Sequence, residues 1–365
     1  MKRSLIPSVI IYCLALSACS KSSDSGSTQP FTSVESDVIS DFVYKTAVPQ
    51  YTALAAAGTT LDNNIATLNT TTTDANLQTA QASWKTMRVA WERTEGFLIG
   101  PVEGNDYDPN SDTWPTDYHQ MDSLLTSANP LNLSDVQALP QTLRGYHPIE
   151  YLIFGEGGSR KASELDARKK KYLVSLSADL KNIVTSLLAD WTTTADNYTK
   201  VVTTAGVTSN STYAKKLDFF LDITTDNGMA GICNEVGQKN EDGKMWNPYL
   251  QKDSSLAESP YSGNSLIDFK NNIIGAQQVY LGINGGKGMK DLVAAKNKDL
   301  DNKIQAAFTS AINSFDNISG SANMRFEVAI YNNRTAIETT VNQLNALQTL
   351  LETDLVNFLQ TNVKD

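Results

Sequence analysis

Histidine is nearly absent from this chain and cysteine is scarce, with two of the first and three of the second in 365 residues. Three cysteines exclude a zinc cluster built from four thiolates. Cys13 would leave with an expected leader and Cys19 would carry a lipid, which leaves Cys233 as the single free thiol of a mature chain. No intramolecular disulfide can then form, so the fold depends on its hydrophobic core. A mature chain of about 350 residues is long enough for two such cores. Basic charge is also short: 30 basic residues face 40 acidic ones, a formal net charge of −10. That balance argues against nucleic acid as a partner and favours an acidic surface facing cations. After residue 18 no apolar run is long enough to cross a bilayer. H-E-x-x-H, G-x-S-x-G and a phosphate-cradling Gly-rich loop before Lys-Ser/Thr are all missing. Gly285-Gly286-Lys287-Gly288 reads as a linker by composition.

What is present begins with an address. Lys2 and Arg3 precede a mostly apolar run from Leu5 to Leu16, and Leu16-Ser17-Ala18-Cys19 has the form of a lipoprotein cleavage box. Residues 1–18 are expected to be a lipoprotein signal peptide, Cys19 to be the lipidated residue, and 19–34 to be a flexible Ser/Gly/Thr-rich tether. The expected location is the cell envelope. Ser20 after Cys19 is not acidic, which by resemblance to lipoprotein sorting favours the outer membrane and leaves the face open.

Helical periodicity dominates the remainder and strand alternation is scarce, so the fold class is all-α. The spacing predicts helices over 35–57, 74–98, 116–127, 134–153, 161–190, 211–235, 265–281, 288–316 and 322–361. The last carries Ile337, Val341, Leu344, Leu347, Leu351, Leu355 and Phe358 at a/d-like spacing. Gly155-Glu156-Gly157-Gly158-Ser159 offers the best boundary, giving a first helical domain at 35–156 and a second at 157–365.

His147 and Glu150 are the best candidate for chemistry. Three residues apart on a helix, they share a face with Cβ atoms about 5–6 Å apart. An imidazole and a carboxylate are usual ligands of a divalent transition metal. A purely architectural reading competes: Pro148 at the first helical position would make His147 the N-cap and Glu150 the N3 half of a capping box. A helix N-terminus there would depress the imidazole pKa and keep the ring neutral at pH 7.

The 74–98 stretch adds charges where none are expected. Leu77, Ala80, Trp84, Met87, Trp91 and Leu98 form its apolar stripe, with Arg88 and Glu95 inside it and Glu92 at its shoulder. An unpaired buried charge costs several kcal/mol, so these groups need partners. They either bridge one another or line a cleft near His147, and both can hold together. Asp112 and Asp117 flank Trp114-Pro115 and fit either cleft carboxylates or turn and cap roles. Ser262 and Ser265 with Asp268 read first as a helix start. Glu235 is a weaker candidate of the same kind, and His119 reads as a surface or packed residue.

Gly145, His147 and Glu150 in Arg144-Gly145-Tyr146-His147-Pro148-Ile149-Glu150 match a G-x-H-x-x-E pattern that resembles the imelysin-like family. Trp84 to Val102, Thr113-Trp114-Pro115, and Glu258 to Phe269 leading into Val279-Tyr280-Leu281-Gly282 resemble further family segments, in order along the chain. Pro148 departs from the pattern, where an alanine-like residue is usual. The resemblance implies two related four-helix-type bundles with the motif at their interface, and a role in iron uptake. It also implies that Ser262 and Asp268 face the site. The expected function is a lipid-anchored envelope protein that binds a metal ion or metal-containing ligand, iron first and zinc as alternative, through His147, Glu150, Glu95, Glu92 and Arg88, with iron-transport components as partners. The alternative is an H-x-x-E metallopeptidase, the activity under which the family was classified; no general base or oxyanion-stabilising group can be assigned for it. A structural or adhesive lipoprotein is the third reading.

Overall fold

The computed structural model describes residues 29–193, 197–320 and 323–364. The signal peptide, Cys19 and the greater part of the tether lie outside the described residues. The principal helices are α1 (Phe31–Asp41), α2 (Val48–Thr70), α3 (Asp74–Glu92), α4 (Tyr146–Phe154), α5 (Ala167–Thr192), α6 (Met229–Gly237), α7 (Ser265–Leu281), α8 (Lys298–Ser319) and α9 (Arg334–Leu350). Short helices and single turns connect them, and no strand occurs among the described residues. The all-α expectation is met.

Local chemistry explains most helix ends. Thr73 lies in the threonine-rich loop and caps α3, its hydroxyl accepting from the Asn76 N–H at 3.2 Å. Asp166 caps α5 by accepting from the N–H groups of Arg168 and Lys169, both at 2.9 Å. Such caps are each worth about 1 kcal/mol. The a/d set of the C-terminal stretch is buried as its spacing requires. There α9 passes through a π turn at Leu351–Leu355 into Val356–Asn362. In the same way α1 runs through Phe42–Ala47 into α2, which makes the first helical stretch longer than the expected 35–57.

Other expected helices are broken. The 134–153 stretch becomes Leu133–Gln137, a 3-10 turn at Gln141–Leu143, and α4. Pro140 and the positive φ of Gly145, +78°, interrupt it. The 211–235 stretch divides into Lys216–Asp222 and α6, around Gly228. The 322–361 stretch divides into a separate helix at Phe326–Asn332 and α9 with its continuation. Near the site, α3 stops at Glu92 and the chain tightens into a turn at Glu95–Phe97 instead of continuing to 98.

Two groups of helices carry the packing. In one, α2 lies against both α3 and α5; although α5 follows the glycine-rich break at 155–159, it packs on a helix that precedes it. In the other, α8, α9, α6 and α7 pack together. Beside the site the groups are joined by α7, which lies against α3 and the Glu95–Phe97 turn; elsewhere α1 packs on the short helix Met289–Lys296. Glycine makes that approach close. A Cβ on Gly275 of α7 would sit 2.3 Å from the Arg93 carbonyl, and one on Gly96 would sit 2.6 Å from the Ala276 nitrogen. The charged face of α3 therefore looks straight onto α7 and the loop that leads into it.

Candidate metal centre

Three stretches of chain converge beside α3. The first holds Asp112, at the end of the short helix Tyr107–Asp112; the second is the start of α4; the third is the loop from Glu258 to Asn264 that leads into α7. Gly145 permits the first two to meet. Its φ of +78° is left-handed, and a Cβ there would fall 1.9 Å from the Ser111 carbonyl oxygen. Any side chain at 145 would push Asp112 away from His147. The first glycine of the G-x-H-x-x-E pattern is thus a steric necessity of the site.

Arg88 lies at the centre and is fully buried. It pairs with Glu92 one turn on and with Asp112, reaches Glu258 at 3.2 Å, and has Nε 3.8 Å from Asp268. The Tyr146 ring covers the guanidinium at 4.9 Å. The internal salt bridge expected from the sequence exists, and it belongs to a larger acidic cluster. Glu95 accepts from the Trp91 indole N–H at 3.0 Å, and that indole also donates to Asp112 at 2.8 Å. Asn272 of α7 donates to both Glu92 and Glu95. Asp268 is held by the Ser259 hydroxyl and the Asn264 amide, each at 2.6 Å.

His147 is buried, its ring centroid 4.9 Å from that of Trp114 and tilted 58° to it. Its Nε2 lies 3.0 Å from Asp112 Oδ1, and its Nδ1 lies 3.6 Å from Glu150 Oε2. Neither contact is aligned as a hydrogen bond, so both ring nitrogens lack a hydrogen-bond partner among the described residues. Glu150 Oε1 accepts from the Ser262 N–H at 2.7 Å, which orients the carboxylate. The helix starts two residues earlier than the capping reading requires. Gly145 is the N-cap and Tyr146 the first helical residue, so His147 is no cap and Pro148 does not open the helix. The depressed, neutral imidazole expected with that cap is overturned too. Burial favours the neutral ring, but Asp112 and Glu150 on either side outweigh it and raise the His147 pKa to about 9.

The cluster is short of positive charge. Burial opposes the Asp112 anion, yet Arg88 and His147 hold its carboxyl well below the ordinary range. Elsewhere burial wins. It lifts Glu92 to about 8 and Asp268 to about 6 against the pull of Arg88, and it raises Glu95, with Glu92 adding to the effect. Such carboxylates are held off by a lack of cations, which a proton or a metal ion would supply.

Asp112, His147 and Glu258 offer one nitrogen and two oxygens that all lie within 4.8 Å of one another. Glu92, Glu95 and Asp112 form a second such group, sharing Asp112. Buried atoms without a hydrogen-bond partner surround the first group: both His147 nitrogens, Glu258 Oε2 and Glu150 Oε2. An imidazole with several carboxylates suits iron or another borderline ion, so these residues fit a metal by donor type. A cavity of about 400 Å³ opens beside them, lined among others by Glu95, Asp112, Trp114, Glu258 and Lys244. Lys244 reaches Glu235 at 2.9 Å, Glu258 at 3.1 Å and Glu95 at 3.9 Å.

The structure thus brings His147, Glu150, Arg88, Glu92, Glu95, Asp268 and the Ser262 backbone to one place. Asp117 is elsewhere occupied, capping Tyr118–Thr126 by accepting from the Gln120 N–H at 2.9 Å. His119 is exposed. Sequence reasoning passed over Glu258, Lys244 and Asn272. Glu258 lies outside any helix, so no periodicity marks it; its place in a stretch with family resemblance was the available signal.

An all-α chain with a buried histidine–carboxylate centre between its helix groups is the class these features define. The imelysin family model (Peptidase_M75) matches residues 47–351. The chain belongs to the imelysin family. It is 30% identical over 259 residues to iron-regulated protein A of Synechococcus elongatus, covering 70% of this chain and 67% of that protein. In fold it is similar to the crystal structure of a putative iron-regulated protein A precursor from Parabacteroides distasonis, with TM-score 0.81, 23% identity, and 93% and 97% of the two chains covered. An imelysin-like protein from Psychrobacter arcticum superposes with TM-score 0.70 at 12% identity, covering 90% and 96% of the chains.

Proposed function

We propose that this chain binds a metal ion through His147 Nε2, Asp112 and Glu258, with Glu150 orienting the imidazole from its other nitrogen. The observation that carries this is a fully buried histidine with neither nitrogen hydrogen-bonded, set among carboxylates that lack enough cations. An unpaired buried polar group costs about 1–3 kcal/mol, so a site that leaves several unpaired is built for something else to complete them. The carboxylate–histidine–metal arrangement fixes the ring and raises its basicity as a ligand. Arg88 acts as the internal counter-ion that keeps Asp112, Glu92 and Glu258 gathered. Iron is the proposed metal, because relatives in the family carry the name iron-regulated protein A. Cys19 is the proposed lipid anchor, which would hold the chain in the cell envelope, at the outer membrane, beside iron-transport components. No helix of the described residues is long and apolar enough to cross a membrane.

Metal analysis of the purified protein, with an anomalous-scattering map from crystals soaked in iron, tests the proposal. One equivalent bound between His147, Asp112 and Glu258, lost in His147→Ala, is the expected result. Retention of the ion by the folded variant would remove the reading. Peptide hydrolysis abolished by chelation and by Glu150→Gln would instead establish the peptidase that the family's name suggests.

A further inference from the structure

The metal reading leaves open whether iron arrives alone or inside a chelate. We infer that the cavity takes the metal as a bare hydrated divalent cation and excludes anionic chelates of the citrate class; the inference rests on the metal site proposed above. Seven carboxylates line the cavity of about 400 Å³, from Glu95, Asp112 and Glu258 at its floor to Glu241 and Asp242 at its exposed rim. Among the described lining residues the one cation is Lys244, already committed to Glu235 and Glu258. Arg88 is fully buried behind the cavity, with its two terminal nitrogens paired to Glu92, Asp112 and Glu258.

An anionic chelate presents oxygen anions on its outer face. Recognising it needs free guanidinium or ammonium groups, or clustered N–H donors, at the mouth. This mouth offers the opposite charge in a concave space, where field lines focus and like charge is repelled. A hydrated cation meets complementary potential all the way in. At the floor it finds Glu258 Oε2, 3% exposed as a residue and without a hydrogen-bond partner, ready to replace a water. Lys244 and Arg88 hold the other oxygen, Glu258 Oε1, so Oε2 is open to the ion without displacing either cation.

The full chain, purified in detergent, would be dialysed to equilibrium against Fe(II) alone without oxygen, and separately against ferric citrate carrying labelled citrate. Retention of about one equivalent of Fe(II), weakening as salt is raised, with no citrate retained, is expected. Charge reversal at the exposed rim, Glu241→Lys with Asp242→Lys, should lower Fe(II) affinity about tenfold at low salt and little at high salt. Retention of citrate with iron would overturn the inference while leaving the metal site standing. So would Fe(II) affinity untouched by the double reversal. Retention of neither ligand would remove this inference together with the reading on which it rests.

Discussion

At the scale of single residues, the proposed centre depends on His147 serving as a ligand through Nε2, with Glu150 facing Nδ1 at 3.6 Å. Its raised pKa, about 9, has a measurable consequence. At pH 7 the ring carries a proton that a metal must expel, because a ligating imidazole nitrogen cannot also be protonated. Metal binding near pH 7 should therefore release about one proton. Affinity should climb with pH until the ring titrates. Calorimetry in two buffers of different ionisation enthalpy reads the proton count directly; a count of zero would mean that His147 is not a ligand. Glu150 acts on the other nitrogen, and its loss leaves the ligand set intact. Glu150→Gln should weaken metal binding by about 10- to 100-fold where His147→Ala abolishes it. A Glu150→Gln variant with full affinity would dissociate the carboxylate from the ring.

Gly145 belongs to the same scale, because its side chain is a single hydrogen for a stated reason. Gly145→Ala would set a methyl 1.9 Å from the Ser111 carbonyl and force an L-residue into left-handed backbone. A loss of about 1–3 kcal/mol or more is expected in urea unfolding, without any change in metal chemistry at the residues that remain. Stability equal to the parent would show that the Asp112 stretch is free to move. Legibility at this scale followed periodicity. Arg88, Glu92 and Glu95 announced themselves as charges in or beside an apolar stripe, and the structure buries all three. Glu258 and Lys244 come from irregular segments, where no period separates a buried charge from a solvated one. Asp112 was visible only as one of two aspartates beside Trp114-Pro115, and its twin Asp117 proved to be a helix cap.

At the scale of elements, the long periodic helices were readable and their interruptions were not. The α7 bounds, Ser265–Leu281, match the expected stretch, and Gly282 ends it with a φ of +71°. By contrast the 134–153 stretch breaks at Pro140 and Gly145, and α3 ends before its apolar pattern does. These breaks are tertiary in origin. The chain leaves helical geometry where α7 needs to approach the backbone at Arg93 and where Ser111 needs to approach Gly145. Gly275 tests that account at the helix contact itself. Gly275→Ala adds one carbon on a good helix former, so intrinsic propensity favours it by about 1 kcal/mol. The contact at 2.3 Å from the Arg93 carbonyl opposes it. If close packing of α7 on the end of α3 governs, the variant unfolds at lower urea and its metal affinity falls as Asn272 and Asp268 are pushed from their partners. A more stable variant would mean that the approach is incidental.

At the scale of the whole molecule, the centre draws on chain segments far apart in sequence. Arg88 and Asp112 come from one region, His147 and Glu150 from a second, Lys244 from a third, and Glu258 and Asp268 from a fourth. No disulfide is available among the described residues, where Cys233 stands free and buried. Contact between the two helix groups includes α7 on α3, α1 on the short helix Met289–Lys296, and this buried ionic cluster, whose carboxylates outnumber its cations. A divalent ion bound there, as proposed, would supply the missing positive charge. Because the proposed ligands assemble only when every segment is in place, a metal held by them would bind the folded chain and not the unfolded one. Saturation at a hundred times the dissociation constant should then add about 2.7 kcal/mol to folding. In a chain of this size one kcal/mol moves the melting temperature by about 2–4 °C or less, so a rise of several degrees is expected. The rise should vanish in His147→Ala, whose own unfolding remains cooperative because the helix cores do not depend on the ion. A metal-dependent rise that persists in that variant would place the stabilising ion at a surface carboxylate pair, and the buried cluster would have to be read as architecture.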